Sequence, residues 1–172
     1  MNPTRTLLLM RHAKSSWKDV ALSDEKRPLN KRGREAARFM GAYLSEHGLA
    51  PHGILVSSAE RAQETARRLN KSGNFTLEIQ TAPEMYLAGA AAYIAAIGKV
   101  DASIGRLLVI GHNPDLEDVI HRLTGCDESM PTGAVAHVEV DAPDWGEFAL
   151  KPRGTLVNVF RPKEVAGDRR DD

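Results

Sequence analysis

Short apolar runs, too brief to be helices, alternate along the chain with longer segments that repeat with a helical period. Three such runs occupy residues 7–10, 54–56 and 107–110, and each is followed by a polar turn. Strands that alternate with helices are typical of an α/β fold, in which helices cover a mostly parallel sheet. The pattern therefore predicts a single-domain three-layer α/β sandwich with a mostly parallel central sheet.

Boundary signals place the remaining elements. The predicted helices are 33–46, a helix opened by the capping box Ser57-Ser58-Ala59-Glu60, 90–97, and a helix that starts at Asn113-Pro114. Further strands are predicted at 77–80, 135–140 and 155–160, with a turn-like segment at 141–154 between the last two. Residues 16–32 are polar and contain Pro28, so we expect a long irregular segment there, and such segments are often functional.

Composition narrows the range of functions. The 172 residues carry 23 Lys plus Arg and 23 Asp plus Glu, so the formal net charge is zero. A balanced chain has no overall field to attract nucleic acid or an anionic membrane, and neither is expected as a partner. The domain is predicted over residues 1–162, followed by a charged, disordered tail at 163–172 that lacks apolar periodicity.

Cys126 is the only cysteine, which excludes an internal disulfide and favours a reducing cytoplasm. The apolar stretch at 7–10 is too short for the apolar region of a signal peptide. We therefore expect a cytoplasmic protein.

The chemistry-bearing residues follow the three apolar runs. The first run leads into Arg11-His12, the second leads through a turn to Arg61, and the third leads into His112 and Asn113. In an open parallel sheet, ligands bind outside the carboxyl ends of the strands. Two arginines and two histidines at that edge predict a cationic pocket suited to a phosphoryl group.

Phosphoryl transfer depends mainly on positioning and on stabilising negative charge. Arg11 and Arg61 suit this role because a guanidinium binds phosphate through two nitrogens and stays protonated. A neutral imidazole attacks phosphorus directly, so His12 is the predicted nucleophile and His112 a protonated donor to the phosphoryl oxygens. Ser15 and Asn113 are further candidate phosphate ligands. This chemistry requires neither a metal nor a cofactor.

Three separated motifs in this order resemble those of the histidine phosphatase (phosphoglycerate-mutase-like) superfamily. They are Leu7-Leu8-Leu9-Met10-Arg11-His12-Ala13, Ser57-Ser58-Ala59-Glu60-Arg61-Ala62-Gln63-Glu64-Thr65-Ala66 and Gly111-His112-Asn113-Pro114. The short length, Arg11-His12-Ala13-Lys14-Ser15-Ser16-Trp17, Arg27-Pro28-Leu29-Asn30 and Thr132-Gly133-Ala134 resemble the SixA-type phosphohistidine phosphatases more closely. The resemblance implies a phosphoglycerate-mutase-like fold, a phosphoenzyme on His12, and phosphate held by Arg11, Arg61 and His112.

Superfamily members that act on phosphate esters carry a carboxylic acid in the stretch that corresponds to residues 83–93. Glu84 is the only carboxylate there and is the candidate general acid. The P–N bond of phosphohistidine breaks more readily than an ester, so a weak or missing acid favours phosphohistidine on a partner protein as the substrate. Two alternatives stay open: a phosphatase or mutase for small phosphate esters with Glu84 as acid, and a non-catalytic phosphate-binding module.

For Lys14 and Trp17, which lie near the first motif, the sequence is consistent with either a structural or a functional role. Lys14 is close enough in sequence to reach phosphate, but a solvated turn is equally consistent with its position. Trp17 either covers the pocket mouth or packs under the irregular segment. Arg27, Arg32 and Arg34 are predicted to form an exposed basic strip, in which Arg27 is also a candidate for selecting an anionic partner.

Overall fold

The computed structural model describes residues 4–168, which form one mixed sheet with helices on both faces. The strands are β1 (Thr4–Arg11), β2 (Gly53–Val56), β3 (Ile79–Thr81), β4 (Arg106–Gly111), β5 (Val135–Asp141) and β6 (Thr155–Phe160). The helices are α1 (Lys31–Glu46), α2 (Glu60–Ser72), α3 (Ala90–Gly98), α4 (Asp115–Thr124), α5 (Trp145–Leu150) and α6 (Pro162–Asp168). Short 3₁₀ helices lie at Asp24–Lys26 and Pro83–Met85.

The strand order is β3-β2-β4-β1-β5-β6. Strands β3, β2, β4 and β1 are parallel, whereas β5 pairs antiparallel with β1 and β6 pairs antiparallel with β5. The mostly parallel sheet expected from the sequence is therefore confirmed, and its carboxyl edge gathers the turns that follow β1, β2 and β4.

Each face of the sheet carries its own apolar core, which completes the three layers. On one face Leu7 and Leu9 of β1 pack in a cluster with Tyr93 of α3 and Trp145 of α5. On the other face the alternate β1 side chains join a cluster with Met40 of α1 and residues of α2. Side chains of a strand point to opposite faces in turn, so a run of apolar residues marks a strand covered on both sides.

Register brings the two predicted histidines together. Arg11 of β1 pairs with Gly111 of β4, and both strands run the same way. The next residues along the two strands are His12 and His112. The backbone N–H of His12 donates to the Gly111 carbonyl at 3.0 Å, which continues the pairing by one step.

Helix starts differ from the sequence expectation. Helix α1 begins at Lys31, because the Asn30 side chain accepts a hydrogen bond from the Gly33 N–H at 2.8 Å. The predicted capping box is wrong, since α2 is preceded by Ala59 with no side-chain cap. The predicted Asn113 cap is also wrong: α4 starts at Asp115, after Pro114.

Two helices lie where none was predicted. The segment 141–154 contains α5, whose start is capped by the Asp144 side chain and whose Trp145 is fully buried. The predicted disordered tail is wrong for residues 163–168, which belong to α6. Val165 of that helix packs against the apolar cluster that contains Met40 of α1. The last part of the predicted tail, 169–172, lies outside the described residues.

Within residues 4–168, no helix is both long enough and apolar enough to cross a bilayer.

Candidate active site

A cavity of about 340 Å³ opens at the carboxyl edge of β1, β2 and β4. The residues that line it include six of the seven predicted site residues: Arg11, His12, Ser15, Arg61, His112 and Asn113. Lys14, Trp17, Arg27, Leu87 and Thr132 complete its wall. The sequence motifs are therefore brought together around one space, with cationic and imidazole side chains predominating.

His12 is held as a neutral imidazole with one defined tautomer. Its Nδ1 lies 2.7 Å from the Ala13 carbonyl oxygen. Because a carbonyl only accepts, Nδ1 carries the proton and Nε2 keeps its lone pair. Burial, reinforced by His112 and the two arginines, lowers the pKa of His12 to about 3, although the Ala13 hydrogen bond opposes the shift.

His112 is the second imidazole, with its ring centroid 5.2 Å from that of His12. Its Nε2 lies 2.7 Å from Ser57 Oγ, and its Nδ1 is buried with no hydrogen-bond partner among residues 4–168. Burial, followed by the charge of Arg61, lowers its pKa to about 4, which Asp24 only partly offsets. The ring is therefore neutral in the unliganded protein, whereas the sequence suggested a protonated donor.

The two predicted phosphate-binding arginines differ in their present partners. Arg61 is 5% exposed and projects from the first turn of α2. It donates from Nη1 to the Asp24 carbonyl at 2.7 Å and from Nη2 to the Asp24 carboxylate at 3.0 Å. Arg11 donates from Nη1 to the Met130 carbonyl at 3.2 Å. Arg61 is thus paired with a carboxylate, whereas Arg11 binds only a neutral carbonyl.

Asp24 is an anion that contacts the side chains around the cavity, and the sequence did not predict these contacts. Besides Arg61, its carboxylate accepts hydrogen bonds from Tyr86 Oη at 2.6 Å and from Arg27 Nε at 3.2 Å. The Tyr86 hydrogen bond is the largest cause that lowers the pKa of Asp24, to about 2, and the two arginines add to it. Asp24 is therefore ionised at neutral pH and holds no proton to donate.

Arg27 is a cavity residue whose burial the sequence did not predict. It was expected in an exposed basic strip, but it is 7% exposed and lines the cavity. Its guanidinium carbon lies 3.5 Å from the centre of the Trp17 ring, and its Nη1 donates to Ser15 Oγ at 2.7 Å. Trp17 itself is 73% exposed, so it forms part of the cavity mouth rather than packing under the irregular segment.

Ser15 and Asn113 line the cavity with different capacities to bind an anion. The Ser15 hydroxyl accepts from Arg27 and keeps its own proton available. The Asn113 amide donates both protons elsewhere, to Glu117 Oε1 at 3.0 Å and to the Met130 carbonyl at 2.8 Å. Both protons of the Asn113 amide are therefore engaged within the protein, and phosphate binding by Asn113 and the start of its helix stays a prediction.

Glu84 is not brought to the cavity. It lies in the 3₁₀ helix Pro83–Met85, and its carboxylate is 4.0 Å from Lys99 Nζ on the protein surface. The residues of that region that reach the site are Tyr86, which lies edge-on to the His112 ring, and Leu87. A phenol and an apolar side chain from this segment therefore reach the site, whereas the Glu84 carboxylate does not.

Buried hydrogen bonds fix the backbone beneath the histidines. The Thr65 hydroxyl accepts from the Ala13 N–H at 3.0 Å and donates to the Arg61 carbonyl at 2.7 Å. The Tyr93 hydroxyl accepts from the His112 N–H at 2.8 Å. A Cβ at Gly111 would lie 2.2 Å from that hydroxyl oxygen, so only glycine fits there.

Among residues 4–168, no group of three or more His, Cys, Asp or Glu side chains is arranged to hold a metal ion.

Comparisons with known proteins agree with this architecture. The family model of the histidine phosphatase superfamily (branch 1) matches residues 7–86. An uncharacterized chloroplastic protein of Arabidopsis thaliana is 32% identical over 161 residues, which cover 88% of this chain and 74% of that protein. The phosphohistidine phosphatase SixA of Escherichia coli is 27% identical over 150 residues, covering 83% of this chain and 89% of that protein.

The fold is shared with solved SixA structures. The protein histidine phosphatase SixA complexed with tungstate superposes with a TM-score of 0.77 at 24% identity, covering 93% of this chain and 99% of that chain. Because the sequence matches span most of both chains and the fold agrees, the chain belongs to the histidine phosphatase superfamily as a SixA-like member.

Proposed function

We propose that this protein hydrolyses phosphohistidine on a partner protein through a phosphoenzyme on His12. The observation that carries the proposal is the pairing of His12 and His112 at 5.2 Å beside Arg11 and Arg61 in one cavity. The similarity to a protein named as a phosphohistidine phosphatase supports the substrate class. The tungstate complex of the related SixA protein supports binding of a tetrahedral oxyanion.

His12 meets the requirements of a nucleophile in its resting state. The neutral ring presents the Nε2 lone pair, while Nδ1 is committed to the Ala13 carbonyl. In the first step, a bond forms between His12 Nε2 and phosphorus as the P–N bond of the substrate histidine breaks. The electron pair of the broken bond goes to the departing imidazole nitrogen.

Cationic side chains balance the charge of the transferring group. Arg11 and Arg61 supply permanent positive charge to the phosphoryl oxygens, and a neutral His112 supplies one N–H. A dianion beside His112 raises the pKa of that ring, so substrate binding favours its protonation. These groups provide the electrostatic stabilisation without a metal ion.

The cavity contains no neutral carboxylic acid, which supports a phosphoramidate rather than an ester substrate. Among residues 4–168, no Asp or Glu lines it, and the nearby Asp24 is ionised. An alkoxide leaves poorly without a proton donor. A histidine protonated on its other ring nitrogen leaves as neutral imidazole, so its departure needs no acid from the protein.

Hydrolysis of the phosphoenzyme is a second displacement at phosphorus, with water as the nucleophile. The Nδ1 proton of His12 stays on the ring, so the phosphorylated ring is a cation whose partner remains the Ala13 carbonyl. Water forms a new P–O bond as the P–N bond to His12 breaks. Neutral His12 is restored and inorganic phosphate leaves with the protons of the water.

The rim of the cavity supports a protein as the carrier of the phosphoryl group. Trp17 and Leu87 line the mouth and are 73% and 66% exposed. Large apolar side chains exposed at one binding site are typical of surfaces that contact other proteins. The single cysteine supports a reducing compartment such as the cytoplasm as the place of action.

The decisive experiment is rapid-quench trapping with ³²P-labelled phosphohistidine peptide, followed by mapping of the label. We expect acid-labile label on His12, its loss in His12→Asn, and hydrolysis that persists in a chelator. His121→Gln, which changes an exposed histidine on α4, is the matched control and should retain labelling.

Comparison of substrates separates the alternatives. Turnover of phosphohistidine should exceed that of an alkyl phosphate by at least a hundredfold, since general acid catalysis contributes about 10²–10⁴-fold to ester cleavage. Equal turnover of the two substrates would favour the small-ester phosphatase or mutase. Tight binding of phosphohistidine without label or hydrolysis would favour the phosphate-binding module.

A further inference from the structure

A second cavity, of about 520 Å³, lies between the start of α1 and the start of α6. Lys14 and Thr132 line both this cavity and the candidate active site. A ligand chain that delivers a phosphoryl group to His12 can therefore continue into the second cavity. We name this second cavity the α1–α6 groove.

Close backbone packing shapes the groove before any ligand binds. Gly133 has a φ of +80°, and a Cβ there would lie 3.1 Å from Pro162 Cγ and 3.9 Å from Ala36 Cβ. A Cβ at Gly33 would lie 2.0 Å from the Lys14 carbonyl oxygen. The loop at Gly133 therefore packs closely against α1 and α6, and the start of α1 packs closely against the backbone of Lys14. A preformed groove reduces the entropic cost of binding.

The groove has an excess of positive charge. It is lined by Lys14, Arg32, Arg161 and Lys163 but by one carboxylate, Glu164. Arg161 is already bound to Glu128 at 2.9 Å and lies 3.8 Å from Glu164. Within residues 4–168, no ion pair involves the other three cations, all of which are exposed.

The local charge stands out because the chain as a whole is neutral. Equal numbers of acidic and basic residues leave no overall attraction for an anion. The three exposed cations instead form a field confined to the groove and the adjoining active-site mouth. Such a field attracts and orients an oppositely charged segment over a range of about one Debye length, roughly 8–10 Å.

We propose that the α1–α6 groove binds an acidic segment of the protein substrate while its phosphohistidine occupies the catalytic cavity. This inference rests on the proposed function and adds the kind of partner recognised. The carboxylates of the segment contact Lys14, Arg32 and Lys163, and its backbone lies over Pro131 and Pro162.

The test compares phosphohistidine peptides with Glu-rich flanks and with Ser-rich flanks as substrates of the wild type and of the Arg32→Glu/Lys163→Glu variant. Both residues are exposed and line the groove without lining the catalytic cavity. We expect the wild type to have a roughly tenfold lower KM for the Glu-rich peptide. The variant should lose this preference, with kcat on free phosphohistidine unchanged.

The matched control is Arg38→Glu/Lys71→Glu, which makes the same change of net charge at exposed positions outside the groove. It should keep the preference of the wild type. Equal KM values of the wild type for the two peptides, or an unchanged preference in the groove variant, would overturn the inference.

A direct binding measurement tests whether the α1–α6 groove binds an acidic segment, even if the protein does not hydrolyse phosphohistidine. Fluorescence anisotropy of a labelled, unphosphorylated Glu-rich peptide should show binding to the wild type that weakens roughly tenfold in the groove variant and also weakens with added salt. Failure of hydrolysis with retained binding would reject the proposed function alone. Identical anisotropy curves for the wild type and the groove variant would reject the groove.

Discussion

Arg61 is held by Asp24 through both terminal guanidinium nitrogens, one on the Asp24 carbonyl and one on its carboxylate. The same carboxylate receives Tyr86 and Arg27. An anion in the substrate cavity must therefore share these donors with Asp24 or displace it. The contact links residues 16–32, which were expected to be irregular, to the predicted phosphate site.

Replacement of Asp24 by asparagine tests this competition. The neutral amide keeps much of the shape but removes the negative charge that a bound oxyanion meets. We expect vanadate to inhibit Asp24→Asn at a roughly threefold to tenfold lower concentration, a modest gain because the carboxylate is 46% exposed and screened by solvent. Weaker inhibition would mean that Asp24 acts mainly by orienting Arg61.

Thr65 should couple the stability of the fold to the placement of His12. Thr65→Val removes a fully buried hydroxyl and leaves the Ala13 N–H without its acceptor. We expect the free energy of unfolding to fall by about 1–3 kcal/mol in urea titrations, and kcat to fall because the residue after His12 is no longer anchored.

Thr124 offers the matched control for Thr65. Its hydroxyl also donates to the carbonyl four residues earlier, at 2.7 Å, and accepts a backbone N–H, from Cys126 at 3.1 Å. Thr124→Val should lower stability without a change in kcat. Equal losses of kcat in the two variants would assign the effect to general destabilisation.

The buried rings of His12 and His112 should make the protein acid-sensitive below pH 6.5. Their pKa values in the folded protein are about 3 and about 4, whereas an unfolded histidine has a pKa near 6.5. The unfolded chain therefore binds more protons between these values, so stability is complete above pH 6.5 and falls as the pH falls. From pH 7.5 to 5.5, each ring should remove about 1.4 kcal/mol of unfolding free energy.

Urea titrations at the two pH values, together with NMR of the imidazole Cε1–H signals, measure this effect. The His12 and His112 signals should not shift between pH 7.5 and 5.5. The His12→Asn/His112→Asn variant should show a smaller loss of stability over the same interval. Titration of either ring near pH 6.5 in the unliganded protein would contradict the prediction.

Glu84→Gln should leave the reaction nearly unchanged. The Glu84 carboxylate lies near Lys99 and does not line the cavity, so the variant loses only a weak surface ion pair. We expect kcat on phosphohistidine within about twofold of the wild type. A hundredfold loss of activity on an alkyl phosphate would restore Glu84 as a general acid and favour the ester alternative.

Much of the fold could be predicted because its strands are buried on both faces. Leu7, Leu9, Leu107 and Val109 are fully buried, and a run without polar residues signals such a strand directly. The turns after these strands then have to meet at one edge. For this reason the grouping of the two histidines with Arg11 and Arg61 followed from the order of the motifs.

Contacts between distant polar residues could not be predicted in the same way. Asp24 and Arg61 are 37 positions apart, and no local pattern links them. Arg27 was assigned to the surface because charged residues usually lie there, whereas Trp17 and Asp24 together make its burial favourable. The start of α1 could have been predicted from a local signal. Asn30 is a residue type that caps helices, and its side chain accepts a hydrogen bond from the N–H of Gly33.

The pairing of Arg11 with Gly111 sets the separation of His12 and His112. Neighbouring strands lie about 4.8 Å apart, and the two imidazole centroids, one residue further on, are 5.2 Å apart. The hydrogen-bonded pairing of β1 with β4 therefore determines the distance between the two rings. Replacements in the flanking helices that leave the pairing of β1 with β4 intact should therefore leave the distance between the His12 and His112 rings unchanged.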